Sequence, residues 1–385
     1  MMRRISPVLM GLAVALGSCD GGGEAETNVA AVVTWNVGLA EGYVDYAPQR
    51  RPEILKAVAA LEADVVCLQE VWSEADAQAV ISAAAPNFPH SYQVQLVDET
   101  VGPPGCPPEL ETVADLSTCA TAACGTLAPS ELGKCVLDQC KPEFEAVPPS
   151  CVSCLVANLG QPLDTIFLAC TTGSARYFAG GANGLVLLSK HPLEDRQHLA
   201  MTSTNTQRSV LSATVELPGV GQTDVYCTHL AADLSSQLKY AGPYDSWAAE
   251  NLAQLDTLLA HVEATRQTEQ VLLLGDFNAG PAIAPDIAAE LPDSYARVLA
   301  AGYRDWPGTE AGTPCTFCPD NTLVADDSGG VLIDHVYGKN LPAAFALSRA
   351  SRIATETIQI TTDSGPAASH LSDHYGLRLQ FDRAP

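Results

Sequence analysis

Basic residues are scarce in this chain: Lys and Arg number 20 against 45 Asp and Glu in 385 residues, a formal net charge of -25. Such a surface does not attract a nucleic-acid backbone over a wide face, so any nucleic-acid contact must rest on a local patch or on bridging metal ions. No basic cluster is present to hold several phosphates at once. Long hydrophobic runs are also missing: beyond a short one near the start, nothing is apolar over the length a transmembrane helix needs. There is no GxSxG elbow to present a nucleophilic serine and no Walker-type phosphate loop. Cys315 and Cys318 form a CxxC without a second pair at zinc-finger spacing, so a local disulfide is expected there. With 47% hydrophobic and 17% charged residues the chain is globular, and its length allows one large α/β domain or two smaller ones.

The first residues carry an address. Arg3 and Arg4 precede the apolar run Val8 to Leu16, which suits a signal-peptide core but not a bilayer span. It ends in Leu16-Gly17-Ser18-Cys19, similar to a bacterial lipobox, which makes residues 1–19 a lipoprotein signal peptide with Cys19 as the lipidated residue; an ordinary cleaved signal is the alternative. Residues 20–29 then read as a flexible tether, and 30–385 as the functional domain. Setting Cys19 aside leaves 12 of the 13 cysteines, an even number that reads as a disulfide framework in an exported protein. Eight of them fall between Cys106 and Cys170, in a segment at about 101–170 that breaks the surrounding rhythm. It reads as a stapled insertion unable to bury enough apolar surface alone, or as a lid or recognition element beside a site. Cys67 and Cys227 lie in apolar runs and are either buried thiols or a cross-strand bridge.

Elsewhere strands and helices alternate. Ala30 to Val37, Asp64 to Val71, Gly184 to Ser189, Thr223 to Leu230, Val271 to Gly275, Val331 to Gly338 and Tyr375 to Phe381 read as strands. Arg208 to Val215 alternates as a half-exposed strand should. Helices are predicted over Pro48 to Leu61, with Pro52 in a tolerant first turn, over Glu74 to Ala85, Ser246 to Ala264 and Tyr295 to Ala301. No internal repeat is evident.

Six of these strands deliver polar groups at an end: Asn36, Glu70, His229, Asp276 with Asn278, Asp334, and Asp373 with His374. The two polar groups of VLLLGDFNAG (Val271 to Gly280) sit two positions apart and would leave an extended chain on one side. Taken alone, that stretch reads equally as a turn. Six such ends in one chain point to a site assembled along sheet edges. Carboxylate and amide oxygens without cysteine suit Mg²⁺, with Mn²⁺ or Ca²⁺ as alternatives, in preference to zinc. Two histidines with acid partners suit proton transfer and stabilisation of a phosphoryl oxygen, and together these parts fit metal-assisted hydrolysis of a phosphate ester.

In order, TWNV, QEVW, NGLVLLSKHPL, THL, GDFN, IDHVYG and SDHYGL resemble the motif series of the endonuclease/exonuclease/phosphatase superfamily, the deoxyribonuclease-I-like fold. The resemblance implies an α/β four-layer sandwich, two packed mixed sheets flanked by helices, with the site at one end. It implies Glu70 as principal metal ligand with Asn36 beside it and Asp373 near the metal. Asp276 and Asn278 would orient water and phosphate. His374, oriented by Asp334, would be the general base, or the acid in another account, and His229 would bond a non-bridging oxygen. Asn183 and Arg208 are candidate substrate contacts, and His335 is given no role. A sphingomyelinase-like phosphodiesterase acting on phospholipid is the favoured branch, and an extracellular nuclease the alternative. A catalytically inactive binding protein on the same scaffold is the non-enzyme reading. The expected partners are a phosphodiester substrate and, through the N-terminal lipid, a membrane; a monomer is expected.

Overall fold

Alternate side chains of Ala31–Asn36 (β1) serve two different layers: Val32 packs between two sheets, while Val33 and Trp35 face helices. After helix Ala47–Ala59 (α1), strand Val65–Gln69 (β2) repeats this, with Val65 and Cys67 inward and Val66 and Leu68 outward. Burial on both faces is why these strands read as unbroken apolar runs. The computed structural model describes residues 30–95, 103–173, 177–306, 315–324, 329–343, 349–362 and 365–381. The signal peptide, Cys19 and the tether lie outside the described residues.

Helix Glu74–Ala84 (α2) follows, capped by Ser73, whose Oγ accepts from the Asp76 N–H at 3.0 Å, and then strand His90–Tyr92 (β3). In its described residues the Cys-rich insertion forms five helices: Glu111–Cys124 (α3), Pro129–Gln139 (α4), Lys141–Ala146 (α5), Pro149–Ala157 (α6) and Leu163–Thr172 (α7). Four strands come next: Val186–Ser189 (β4), Glu194–Ala200 (β5), Ser209–Leu217 (β6) and Gly221–His229 (β7). Helix Trp247–Thr265 (α8) leads to Val271–Asp276 (β8), Ile287–Ala288 (β9), helix Pro292–Ala300 (α9) and Arg304–Asp305 (β10). Gly330–Val331 (β11), Asp334–Lys339 (β12), Arg349–Ile353 (β13), Thr357–Thr362 (β14), Gly365–His370 (β15) and Gly376–Gln380 (β16) complete the described order.

Among the described residues, twelve of the strands form two mixed six-stranded sheets, ordered β13-β16-β1-β2-β4-β3 and β10-β12-β8-β7-β6-β5, and β9 with β11 and β14 with β15 form two small pairs. Each six-stranded sheet has a parallel pair near its middle, β1 with β2 and β7 with β8. Inward residues of the two, such as Leu187, Val225, Leu272, Leu274 and Leu379, form a shared core. Ile54 and Val80 of α1 and α2 cover the outside of the first sheet, and Leu255, Leu258 and Val298 of α8 and α9 cover the second. The result is the four-layer sandwich expected from the sequence. Among the described residues no helix is long and apolar enough to cross a membrane.

Three local expectations change. Strand β6, expected to be half-exposed, is buried at every position but Glu216. Helix α1 begins at Ala47, so Pro48 occupies the first turn and Pro52 lies inside the helix. The run Val331 to Gly338 is two strands: β11 pairs with β9, and Asp334 opens β12 because the Ile333 and Asp334 N–H groups both donate to Thr316 Oγ, at 3.2 Å each.

The cysteines of the insertion close on one another, as Cys106–Cys151, Cys119–Cys140, Cys124–Cys135 and Cys154–Cys170, and Cys315 pairs with Cys318. The insertion is not self-sufficient, for its apolar cluster includes Leu238 and Trp247 of the main domain. Cys67 and Cys227 form a bridge between the two sheets, across a sequence separation of 160. Closing so long a loop restricts the unfolded chain, so the double substitution Cys67→Ala/Cys227→Ala is expected to lower the unfolding free energy by about 3–5 kcal/mol. Chemical denaturation of the two proteins measures this; an unchanged midpoint would show that the bridge contributes nothing.

Candidate active site

Parallel pairing brings the C-terminal ends of β1, β2, β7 and β8 to one end of the sandwich. Register does the rest: His229 is level with Asp276 across β7 and β8, and Asp276 with Asp334 across β8 and β12. Since β12 runs antiparallel to β8, its first residue, not its last, meets the end of β8.

Asn36 joins the sheets. Its Nδ2 donates to Glu70 Oε1 at 3.2 Å and to Asp276 Oδ2 at 3.0 Å, and its Oδ1 accepts from the Gly38 N–H at 3.1 Å. It is fully buried, and its Nδ2 positions two carboxylates while Oδ1, bonded once, keeps a second lone pair. Glu70 has a φ of 60°, a left-handed conformation costly for a non-glycine residue, which turns it off the end of β2 into the cavity. Asn278 has a φ of 49°, so the chain is no longer extended there, and the expected same-side projection from a strand does not apply. Instead Asp276 Oδ1 accepts from the Asn278 N–H at 2.9 Å in a side-chain-closed turn, while Asn278 Nδ2 donates to Leu230 O at 3.0 Å. Both residues still line the cavity. The flanking glycines are required by close approach: a Cβ at Gly275 would lie 2.2 Å from Thr228 O, and one at Gly280 only 1.7 Å from Leu332 O.

His374 Nδ1 lies 2.8 Å from Asp334 Oδ2 and 3.9 Å from Asp276 Oδ2, with the Phe317 ring against it at 5.3 Å. One ligand atom from each of Asp276, Asp334 and His374 falls within a 4.8 Å grouping, but the hydrogen bond already made by Nδ1 marks it as an acid–imidazole network. Burial alone would lower the His374 pKa; Asp334, Asp276 and Asp373 outweigh it and hold the imidazole well above its usual range. Asp276 is pushed up to about 7, first by burial and then by Asp334. His229, buried with its Nε2 3.4 Å from Asp276 Oδ2, is held well below the usual histidine range by burial, then by Arg208 and His374. It is therefore neutral near pH 7.

The cavity above these groups has a volume of about 390 Å³. Glu70, Asp373 and Arg208 line it, and Tyr43, Trp72 and Phe178 supply aromatic walls. Arg208 is 7% exposed, lies over the Trp72 ring at 5.8 Å, and has no hydrogen-bond partner at Nε or Nη1 among the described residues. Glu70 is pushed up by burial and then by the neighbouring charge of Asp373. Two crowded carboxylates with oxygen donors only, and no sulfur, fit a hard divalent cation. The other substrate candidate, Asn183, is not in this cavity: its Oδ1 accepts from the Leu185 N–H and its Nδ2 donates to Val94 O, so it shapes the turn before β4. His335 is wholly buried between Asp305 and the carbonyls of Ala279 and Leu332, a structural position.

Several positioning residues carried no signal in the sequence. Arg50, on α1, donates to Gly38 O at 2.7 Å and to Leu371 O at 2.6 Å, and Ser372 Oγ donates to Asn36 O at 2.7 Å. Together they tie the loop after β1 to the loop bearing Asp373 and His374. Glu250 accepts from the Thr204 N–H at 2.8 Å, from Thr204 Oγ and from Tyr240 Oη, and so anchors the loop leading to Arg208. An arginine at the start of a helix and a glutamate in a first turn look like ordinary surface residues; only their burial distinguishes them.

Two mixed sheets between helices, with an acid–histidine cluster at one end, define the deoxyribonuclease-I-like architecture. The chain belongs to the Endonuclease/Exonuclease/phosphatase family, whose pattern matches residues 33–374. Members of that family are phosphoric ester hydrolases. No curated protein matches the chain in sequence. Sphingomyelinase C from Streptomyces griseocarneus superposes with a TM-score of 0.56 at 19% identity, covering 92% of this chain and 100% of that one. A mutant beta toxin from Staphylococcus aureus, solved with bound magnesium ions, gives 0.56 at 12% identity over 93% and 100%. At such identities the likeness concerns the fold.

Proposed function

We propose that the protein is a divalent-metal-dependent phosphodiesterase acting on phospholipids of the sphingomyelin class. The observation that carries this is a cavity lined by the buried guanidinium of Arg208, whose Nε and Nη1 have no hydrogen-bond partner among the described residues, by the carboxylates of Glu70 and Asp373, and by aromatic walls. The guanidinium suits one phosphoryl group. The aromatic faces suit an apolar or quaternary-ammonium neighbour better than a polyanion, as does a net charge of -25. Glu70 and Asp373 would hold the cation, which when bound supplies charge neutralisation at the phosphate. Arg208 and neutral His229 would donate to non-bridging oxygens, and Asp276 with Asn278 would orient the attacking water. His374, held by Asp334, would take the proton of that water once its imidazole is neutral.

The deciding experiment offers sphingomyelin vesicles and plasmid DNA, each with Mg²⁺, to the same protein. Release of phosphocholine without nicking is expected. Nicking without phosphocholine release would transfer the reading to the nuclease, and activity on neither would leave the binding-protein reading. Export with lipid attachment at Cys19 belongs to the same proposal, suggested by the lipobox-like stretch and agreeing with the disulfides. Metabolic labelling with palmitate should mark the protein and fail in Cys19→Ala; equal labelling of both would reject it.

A further inference from the structure

We infer that the disulfide-stapled insertion holds one hydrocarbon tail of an amphiphilic phosphodiester in an apolar cavity that adjoins the acidic one. The headgroup part of this inference rests on the phosphodiesterase reading; the tail part does not.

The second cavity measures about 460 Å³, within the range of about 300–1,000 Å³ usual for small-molecule sites. Leu132, Val136, Phe144, Leu155, Ile166 and Phe167, from α4 to α7, line it. Its charged lining groups, Asp45, Lys134 and Asp138, are exposed at the rim. A space with such walls gives water few hydrogen-bonding partners, and a peptide segment would bring unpaired backbone groups into it. A hydrocarbon chain makes neither demand. Protein interiors ordinarily close such gaps; here four disulfides constrain the short helices around it.

Position supports the same occupant. Tyr43 and Val156 line both cavities, and Tyr43 Oη donates to Val156 O at 2.9 Å. The two spaces are thus separated by little more than one side chain. A molecule with its phosphate beside Arg208 and His374 can lay an attached chain past Tyr43 into the insertion. On α7, next to the wall residue Phe167, Leu168 is 64% exposed, an apolar contact for the lipid surface from which such a substrate would come.

The test uses the full chain and two variants that narrow the cavity. Gly133 lies inside α4 and lines the space; a Cβ there would meet Leu159 Cδ2 at 3.4 Å, an ordinary contact, so Gly133→Leu adds bulk on a backbone that favours it. Val136→Trp is the second. Dansyl-undecanoic acid should bind the wild type saturably, one to one, and each variant at least about tenfold more weakly. With phosphocholine diesters carrying tails of four to twelve carbons, wild-type KM should fall by about fourfold per added methylene until the cavity is filled. That dependence should flatten in the variants, while kcat/KM on bis(p-nitrophenyl) phosphate stays unchanged. Absence of saturable probe binding to the folded wild type would overturn the tail site. So would variants that melt like the wild type and keep both probe affinity and the chain-length dependence. Probe binding by a wild type that cleaves no phosphodiester supports the tail site and rejects the phosphodiesterase reading instead.

Discussion

Replacing His374 with alanine is expected to lower kcat for phosphodiester hydrolysis by about 100- to 10,000-fold with little change in KM, the range for loss of a positioned proton-transfer group. Steady-state kinetics on a soluble phosphodiester decides it, and a variant within threefold of wild type would end the proposed mechanism. The pH profile gives the role of the residue. The imidazole titrates above its usual range despite burial, because Asp334, Asp276 and Asp373 surround it. At neutral pH it holds a proton, so activity that needs the neutral base rises with pH through that raised value. Asp334→Asn removes the nearest acid, lets burial dominate and moves the rising limb to lower pH. A profile that falls through the same group would assign His374 as the acid.

The Glu70→Gln variant should weaken Mg²⁺ binding by at least about tenfold to 100-fold, the range seen when even an indirect partner of a metal is lost. Calorimetric titration with Mg²⁺ reads this without reference to turnover; unchanged affinity would remove Glu70 from the metal set. Treatment of the wild type with EDTA should abolish hydrolysis, and added Mg²⁺ should restore it. A second consequence follows from the raised carboxyl pKa, caused first by burial and then by Asp373. A carboxyl whose folded pKa exceeds its unfolded value loses stabilising effect as pH rises through the folded value, so ionisation of Glu70 destabilises the metal-free protein. Metal-free Glu70→Gln should therefore melt above the metal-free wild type, and the order should reverse with saturating Mg²⁺. The site places binding above stability, in common with the left-handed backbone at the same residue.

Much of the architecture was legible because two-sided burial leaves a plain trace. Runs such as Ala31–Asn36 and Val271–Asp276 have no polar face, and a chain containing several of them has to sandwich its sheets. The polar residues at the ends of these runs stood out for the same reason. Less legible was α8, which reads as an amphipathic helix with a leucine face. In the fold its first turns also bury Glu250, Asn251 and Gln254, because they lie under the site loops and bond Thr204, Ala231 and Phe277. Helical periodicity reports one buried stripe and cannot register a second environment at one end.

By itself, then, the sequence determined the strand inventory, the self-contained cysteine count of the insertion and the set of acids, amides and histidines gathered at strand ends. These depend on local pattern and composition. Only the tertiary structure decided which of them meet. Register sets Asp276 between His229 and Asp334, positive φ turns Glu70 and Asn278, and two hydrogen bonds withdraw Asn183 into a turn. It also decided that the insertion lies against the acidic cavity, with an apolar space between it and the main domain. Those are relations between residues far apart in the chain, set by pairing and packing, and no local pattern encodes them.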